Sequence, residues 1–265
     1  MASELGSMLR QWRTLRATSQ MKLSLDTGIS QRYLSFIESG RSTPTRETLM
    51  SVAEALDVPL RERNSLLLAA GYAPVFSEGK WNAAEMQTLT RAIERTLRQH
   101  EPFPAVVMDR YWDVLLTNDS APRFFNAFID LSSRPTPRNL LDLLFDPQGM
   151  RPFILNWETL ARSLLQRVHR ESVGRVVDER TRQLLNRLRE YPDVKPEPVP
   201  NITPVSPVIG YSFRWRERAL SYFSMVTTVG SPSAVAAQEM RIECMFPADA
   251  ETEELHSTVI ATCRE

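Results

Sequence analysis

Gln31 and Arg32 are the two side chains whose type and position point most directly to chemistry. They follow Gly28, which allows a tight turn, and Ser30, which can cap a helix, so we expect both at the N-terminal end of a helix. Glutamine can form paired hydrogen bonds with adenine, and arginine with guanine, in the major groove of DNA. These two residues, with Ser35 one turn later, are the predicted base contacts.

Basic side chains outnumber acidic ones around this segment. Between residues 10 and 46 there are seven Lys or Arg and two Asp or Glu, an excess of five, although the whole chain has 32 of each. Such a local excess suits a polyanion. Gln20, at the start of the preceding predicted helix, and Arg41 and Ser42, after the predicted base-contacting helix, are expected to contact phosphates.

Glu38 is the exception among the polar residues of this region. Phosphate would repel its carboxylate, so we interpret it as a structural partner of Arg10 or Arg13. The alternative for the whole region is a helical bundle whose Gln, Arg and Ser side chains are only solvated. The agreement of helix lengths, turn glycine and cap residues favours the DNA-contacting interpretation.

No pattern in the chain predicts catalysis or a metal site. His100, His169 and His256 lie far apart in sequence, none in a metal-binding spacing, and each is expected at the surface. The two cysteines, Cys244 and Cys263, are too few for a four-ligand zinc site. We therefore predict no enzyme activity, no catalytic residue, no metal and no cofactor.

The elements that carry the predicted DNA contacts form a compact all-α domain, which we place at residues 1–75. Apolar residues recur at helical spacing from Leu5 to Leu15, and four more short helices follow, the last ending at Gly71. Ser19, Ser30 and Thr45 can cap the second, third and fourth of them. The domain boundary is expected between residues 72 and 80, where periodicity is lost.

A second domain is expected at residues 82–265, with an α+β fold. A helix at 83–99 precedes two strands, helical segments lie between 121 and 189, and three strands follow a proline-rich run at 192–207, which is expected to be a long loop. The predicted strands are 105–109, 112–117, 211–216, 220–229 and 240–246. Because strands and helices do not alternate, a mostly antiparallel sheet with helices on one face is predicted.

Two of these strands suggest which side chains face inward. Met240, Ile242, Cys244 and Phe246 alternate with Arg241, Glu243 and Met245, and we expect the former set to be buried, Cys244 among them. Trp112, Val114 and Leu116 are expected to share the inward face of the second strand. Large apolar residues on the helices could cover that face and line a ligand pocket with it: Phe124, Phe128, Leu144, Phe153 and Trp157. Simple core packing is the alternative for each of these residues.

The segment from Ser19 to Gly40 resembles the helix-turn-helix of the lambda-repressor/Cro-like (XRE) family of DNA-binding proteins. Gln20, Leu23, Gly28, Ser30-Gln31, Leu34, Ile37, Glu38 and Gly40 carry the resemblance. Ser24 stands where that family usually has alanine, and serine is nearly as small.

A wider resemblance covers nearly the whole chain. The segments Leu56–Pro74, Asp109–Asn118, Asn139–Phe145 and Met240–Asp249 are similar to the MmyB-like transcription regulators. That resemblance implies a PAS-like ligand-binding domain after the helix-turn-helix, and members of the family are associated with fatty-acid-like ligands.

We therefore expect a DNA-binding transcription regulator whose partners are double-stranded DNA and an apolar small molecule such as a fatty acid. The alternative is a regulator whose second domain only dimerises or binds a protein partner. A homodimer is expected, because one recognition helix contacts few base pairs. The sequence has no run of about 18 apolar residues and no export signal, so no membrane association and a cytoplasmic location are predicted.

Overall fold

The computed structural model describes residues 4–171, 178–194, 208 and 210–262. The chain folds into two compact units. The first contains the residues up to Lys80 together with Ser231–Gln238, and the second contains Trp81–Gly230 and the residues from Glu239 onward. The sequence did not predict that residues 231–238 would belong to the N-terminal unit.

Five helices form the N-terminal part of the first unit, as predicted: α1 (Glu4–Leu15), α2 (Gln20–Thr27), α3 (Gln31–Glu38), α4 (Arg46–Ala55) and α5 (Leu60–Ala69). The hydroxyls of Ser19, Ser30 and Thr45 accept hydrogen bonds from the first turns of α2, α3 and α4. Gly28 ends α2 at φ 71°, a conformation that favours glycine. The predicted caps and turn are confirmed.

Glycine is also required where α1 meets α3. A Cβ atom on Gly6 would lie 2.5 Å from the carbonyl oxygen of Glu38, closer than any side chain tolerates. The absence of a side chain at Gly6 therefore lets the two helices approach closely. The core of this unit is formed by apolar side chains from all five helices, including Leu9, Trp12, Leu23, Leu34, Ile37, Leu49, Val52, Leu56, Leu66 and Leu67.

Residues 231–238 complete the first unit. The short helix α11 (Val235–Glu239) begins there, and Val235 is fully buried, with its N–H donating to the carbonyl of Ser77 at 2.9 Å. The Oε1 of Gln238 accepts a hydrogen bond of 2.7 Å from the N–H of Leu60, the first residue of α5. Pro59, at the cap position of α5, has no side-chain cap of its own, so Gln238 satisfies a helix N–H that would otherwise lack a protein acceptor.

The second unit combines a sheet with helices, as predicted. Its helices are α6 (Gln87–Gln99), α7 (Ser120–Asn126), α8 (Leu140–Phe145), α9 (Trp157–Glu171), α10 (Glu179–Glu190) and α12 (Ala250–Ala261), with 3₁₀ turns at Ala84–Met86, Leu131–Ser133 and Arg151–Phe153. The predicted loop at 192–207 lies mostly outside the described residues.

The five predicted strands form one antiparallel sheet in the order β2-β1-β5-β4-β3. The strands are β1 (Ala105–Met108), β2 (Val114–Thr117), β3 (Tyr211–Trp215), β4 (Arg218–Thr228) and β5 (Arg241–Pro247). Two strands, then helices, then three strands is the predicted order. Aromatic and aliphatic side chains between the sheet and its helices make one continuous core, with Phe124, Phe145, Phe213 and Tyr222 fully buried.

The orientation predicted for β5 is wrong. Met240 is buried, as predicted, but it precedes the strand; within β5 the buried residues are Arg241 and Glu243, while Ile242, Cys244 and Phe246 are half-buried. Register explains the difference: Glu243 pairs with Val106 and Arg241 with Met108, so these charged side chains share the face of the apolar β1 residues. Arg167, described below, compensates the buried charge of Glu243, and Arg241 donates from Nη2 to the carbonyl of Asp109 at 3.0 Å.

The face predicted for the second strand is also wrong. Trp112 precedes β2 and lies in the turn at φ 70°. A register shift between Val107 and Met108 then pairs Val114 with Met108 but Leu116 with Val107. Because paired residues share a face and neighbours alternate, Val114 and Leu116 lie on opposite faces of the sheet.

No helix among the described residues is long and apolar enough to cross a bilayer.

Candidate functional sites

The outer face of α3 carries the three predicted base contacts. Gln31, Arg32 and Ser35 are exposed, while Leu34 and Ile37 on the inner face are buried. Gln31 is the first residue of the helix, and Ser30 caps it through the N–H of Tyr33. The first turn of α3 therefore presents the predicted hydrogen-bonding side chains to solvent from a firmly packed helix.

Phe36 supports two of the predicted DNA contacts, a role that the sequence analysis missed. The guanidinium carbon of Arg32 lies 5.4 Å from the centre of the Phe36 ring, and that of Arg41 lies 5.8 Å from it. Both distances fit cation–π contacts, which restrict the motion of long side chains before any ligand is bound. Arg41 is exposed and Ser42 is half-buried, directly after α3.

Glu38 is buried at the other end of α3 and is bound by Arg13, as predicted. The Nε of Arg13 lies 2.6 Å from Oε1, and the Nη2 lies 3.0 Å from Oε2. The amide of Gln20 donates to Oε2 at 2.9 Å, and Arg10 approaches to 3.6 Å. Burial alone would raise the pKa of Glu38, but these hydrogen bonds and charges outweigh it, and the pKa is lowered. The carboxylate thus ties α1 and α2 to the C-terminal end of α3.

The second unit contains a cavity of about 210 Å³ against the β1–β2 edge of the sheet. Its buried walls are apolar, and Thr117, Thr136 and Pro137 at its margin are exposed. It is lined by Val106, Val114, Thr117, Ala121, Pro122, Phe125, Leu131, Thr136, Pro137, Arg138, Leu140 and Leu143. We call this hollow the outer cavity.

A smaller hollow of about 20 Å³, the inner cavity, shares Val106, Phe125 and Leu140 with the outer one. Pro104, Leu144, Tyr211, Phe213, Glu243 and Met245 complete its lining. Its volume is enough for about one water molecule. Because the two hollows share three walls, a side-chain movement at Phe125 or Leu140 would change both.

The polar end of the inner cavity is a closed hydrogen-bond network around Glu243. Arg167 donates to both carboxylate oxygens at 3.1 and 3.0 Å, and the hydroxyl of Tyr211 donates to Oε1 at 2.9 Å. Burial alone would raise the pKa of Glu243, but the charge and hydrogen bonds of Arg167 reverse this, so the pKa is lowered. Burial beside this carboxylate raises the pKa of Tyr211. Glu243 is therefore ionised and Tyr211 is protonated at neutral pH.

Four of the eight predicted ligand-binding residues line hollows in the described part of the unit. Val114 lines the outer cavity and Leu144 the inner one. Phe128 and Phe153 contact each other at 5.4 Å between ring centres and line a separate open groove of about 630 Å³. The prediction therefore named side chains from three different places rather than one site.

The other four predicted residues line none of these three hollows. Trp112 contacts the guanidinium groups of Arg167 and Arg241, whose carbons lie 4.6 and 5.1 Å from its ring centre. Phe124 packs in the core against Phe213 and Tyr222, and Trp157 packs against Phe145. Leu116 lies on the face of the sheet opposite to Val114.

Several lining residues were missed because their spacing carries no signal. Phe125 directly follows the predicted residue Phe124, and Leu140 lies in a run of apolar residues. Only the folded structure shows which side chain of each group faces the hollow. Arg138 precedes a helix and has no periodic pattern to mark it. The alternation of β5 did contain Glu243, but it was assigned to the wrong face.

The prediction that all three histidines lie at the surface is wrong for His256, which is 1% exposed. Its Nδ1 lies 2.8 Å from the Tyr222 hydroxyl and its Nε2 lies 2.8 Å from the Pro102 carbonyl. Burial lowers the pKa of His256. The neutral ring then donates from Nε2 and accepts at Nδ1, which gives it a structural role. Among the described residues, no group of three or more His, Cys, Asp or Glu could hold a metal ion.

Comparison with known protein families gives two matches. Residues 9–63 match a helix-turn-helix model, and residues 89–257 match the model of the MmyB-like transcription regulator ligand binding domain. No curated protein matches the chain. The first match covers α3 and its flanking residues, and the second covers both cavities.

Proposed function

Because the chain belongs to the MmyB-like transcription regulators, we propose that α3 recognises an operator and that an apolar small molecule, such as a fatty acid, controls this recognition from the second unit. The family membership makes the chain a DNA-binding transcription regulator with a ligand-binding domain. We propose its operator contacts, the chemical class of its ligand and its oligomeric state.

The exposed first turn of α3 carries the DNA-binding part of the proposal. An α-helix with its side chains is about 10 Å in diameter and fits the major groove of DNA, where residues near its N-terminus contact base edges. Gln31 and Arg32 are assigned to bases, with Ser35 as a third contact. Gln20, Arg41 and Ser42 are assigned to phosphates, where they fix the register.

Two arginine variants test this assignment. Arg32→Ala should weaken binding to the operator by roughly 1–3 kcal/mol more than binding to random DNA, because a base contact is lost. Arg41→Ala should weaken both and reduce the slope of log affinity against log salt by about one unit, because one phosphate contact is lost. Titrations of both variants against both DNAs at several salt concentrations measure the two effects.

Since Arg32 and Arg41 contact the same Phe36 ring, each variant is the matched control for the other. Equal losses for Arg32→Ala on operator and random DNA would contradict the base contact. An unchanged salt slope for Arg41→Ala would remove that residue from the interface.

The two adjoining cavities carry the ligand-binding part of the proposal. Apolar walls with a few polar groups are typical of small-molecule sites. The proposed ligand contacts are Val114 and Leu144, which the sequence predicted, together with Val106, Phe125 and Leu140, because all five line the cavities. The second unit then acts as a PAS-like sensor domain. Denaturing extraction of the purified protein followed by lipid mass spectrometry identifies a bound apolar molecule.

The regulator is proposed to act as a homodimer, with two copies of α3 on half-sites about 34 Å apart. A ligand can change operator affinity only by its difference in affinity for the two arrangements of that dimer. Operator affinity should therefore change when ligand is stripped from a folded dimer. If it does not change, the second unit binds a protein partner or only dimerises.

A further inference from the structure

The outer cavity is apolar except at one side. Val106, Ala121, Phe125 and Leu140 on its inner walls are each at most 7% exposed. Among the described residues of its lining, Arg138 is the one that is charged; it follows the exposed Thr136 and Pro137 in the chain, and Thr117 adds a second exposed hydroxyl. The hollow therefore has an apolar interior and a polar, cationic mouth.

The guanidinium of Arg138 lacks an acid partner in the described part of the chain. Its Nη2 donates to the carbonyl of Leu131 at 2.8 Å, while its buried Nε has no hydrogen-bond partner there. The nearby Arg134, by contrast, is paired with Asp146. A buried donor without an acceptor is destabilising, so an acceptor supplied by a ligand would be favourable at Arg138.

The inner cavity has the reverse character. There Glu243 presents an ionised carboxylate that already accepts hydrogen bonds from Arg167 and Tyr211. A second carboxylate placed beside it would be repelled and would find these donors occupied. An acidic group of a ligand is thus excluded from the inner cavity and favoured at the mouth of the outer cavity.

We propose that Arg138 binds the acid group of the ligand at the mouth of the outer cavity, with the apolar part of the ligand directed toward Val106, Phe125 and Leu140. This assignment rests on the proposed function of the second unit as an apolar-ligand sensor. It makes Arg138 the residue that selects an aliphatic acid over a neutral molecule of the same length. Charge-assisted hydrogen bonds from arginine to a carboxylate are among the strongest polar contacts in proteins.

The volume of the outer cavity limits the length of the chain it can hold. By the measure that gives the inner cavity of about 20 Å³ room for about one water molecule, the 210 Å³ of the outer cavity give room for roughly ten. A methylene group is similar in size to a water molecule, so an acid of medium chain length fits without displacement of the walls. Octanoic acid and 1-octanol are therefore suitable probes, because they differ at the polar end and share the same apolar chain.

The experiment measures calorimetric affinities of the delipidated full-length protein for these two probes. Octanoate should bind roughly tenfold to a hundredfold more tightly than octanol to the unaltered protein. In Arg138→Gln, whose amide can still donate to the Leu131 carbonyl, the two affinities should become equal. Arg138→Lys keeps the charge and should keep part of the preference, and Arg134→Gln, the matched control, should keep all of it.

The outcomes separate this inference from the function on which it rests. Equal affinities of the unaltered protein for octanoate and octanol would overturn the role of Arg138 and leave the apolar sensor in place. A preference for octanoate that survives in Arg138→Gln would do the same. Binding of neither probe would overturn both. Thermal unfolding of each variant verifies that the affinities refer to folded protein.

Discussion

Glu38 in the first unit of this regulator and Glu243 in the second are both buried and held by an arginine, and the two are used differently. Glu38 in the first unit lies behind the exposed face of α3 and is reached by Arg13, Gln20 and Arg10. Glu243 in the second unit faces a hollow and is held by Arg167 and Tyr211. The first carboxylate fixes the helix that presents the proposed DNA contacts, whereas the second forms a wall of the proposed site itself.

The two sites also differ in how the chain forms them. The α3 surface is produced by a local helix, so its functional residues can be recognised from a few neighbouring positions. The cavities are produced by segments that are distant in sequence, since Val106, Leu140 and Glu243 meet only in the folded unit.

The largest expected effect is that of Arg167→Met. Arg167 and Glu243 are both buried, so this change leaves an uncompensated charge inside the second unit. Urea unfolding should show a loss of about 3–5 kcal/mol in the free energy of unfolding. Arg167→Met combined with Glu243→Gln should recover much of that loss, because no charge of this pair then remains buried. A loss below about 1 kcal/mol in the single variant would contradict the closed network.

Arg13→Met should lower the free energy of unfolding by less than Arg167→Met. Gln20 and Arg10 still reach Glu38, and the Arg13 side chain is 18% exposed, so water can partly replace it. The expected loss in the same unfolding measurement is about 1.5–3 kcal/mol, the usual range for hydrogen bonds to a charged group. A loss as large as that of Arg167→Met would remove the distinction between the two glutamates.

Mild acid should lower the free energy of unfolding of the second unit and leave that of the first unchanged, because all three histidines of the chain lie in the second. The folded-state pKa of His256 is lowered by burial, although the Pro102 carbonyl and the nearby Glu101 oppose this. The unfolded chain then binds a proton more readily, and stability falls as the pH drops below about 6.5. Glu38 and Glu243 do not contribute in this range, since their lowered pKa values make their stabilisation fade only at more acidic pH.

The measurement is the free energy of unfolding of the second unit from mildly alkaline to mildly acidic pH, on either side of about 6.5. The slope from His256 cannot exceed about 1.4 kcal/mol per pH unit, the limit for one proton. His256→Gln should flatten this slope. An unchanged slope in that variant would contradict the role of His256 in the pH dependence.

The smallest expected effect is that of Gln238→Ala, which removes the acceptor for the N–H of Leu60. Loss of a helix cap of this kind costs about 1 kcal/mol. Gln238→Glu is the matched control, because a carboxylate can accept the same bond and suits the N-terminus of α5. Thermal unfolding of the first unit should therefore separate the two variants, and equal behaviour would show that the cap contributes nothing.

Local signals explain which parts of the fold could be predicted from the sequence. Ser19, Ser30 and Thr45 act within one helical turn, so the five N-terminal helices of the first unit were predicted, whereas its segment 231–238 was not. The number and order of strands also follow from short patterns. The faces of β2 and β5 do not, because one depends on the irregular register at Val107/Met108 and the other on the distant Arg167, which makes the burial of Glu243 tolerable.

The hydrogen bond from Leu60 to Gln238 has a consequence for how such a protein can be recombined. The first unit is discontinuous in the sequence, because Ser231–Gln238, which lie between β4 and β5, belong to it. This segment contributes the buried side chain of Val235 and the acceptor for the first N–H of α5. A chimera that joins only the residues up to Lys80 to an unrelated sensor would lose both. A functional exchange of this DNA-binding unit requires two junctions, or a substitute cap engineered at Pro59.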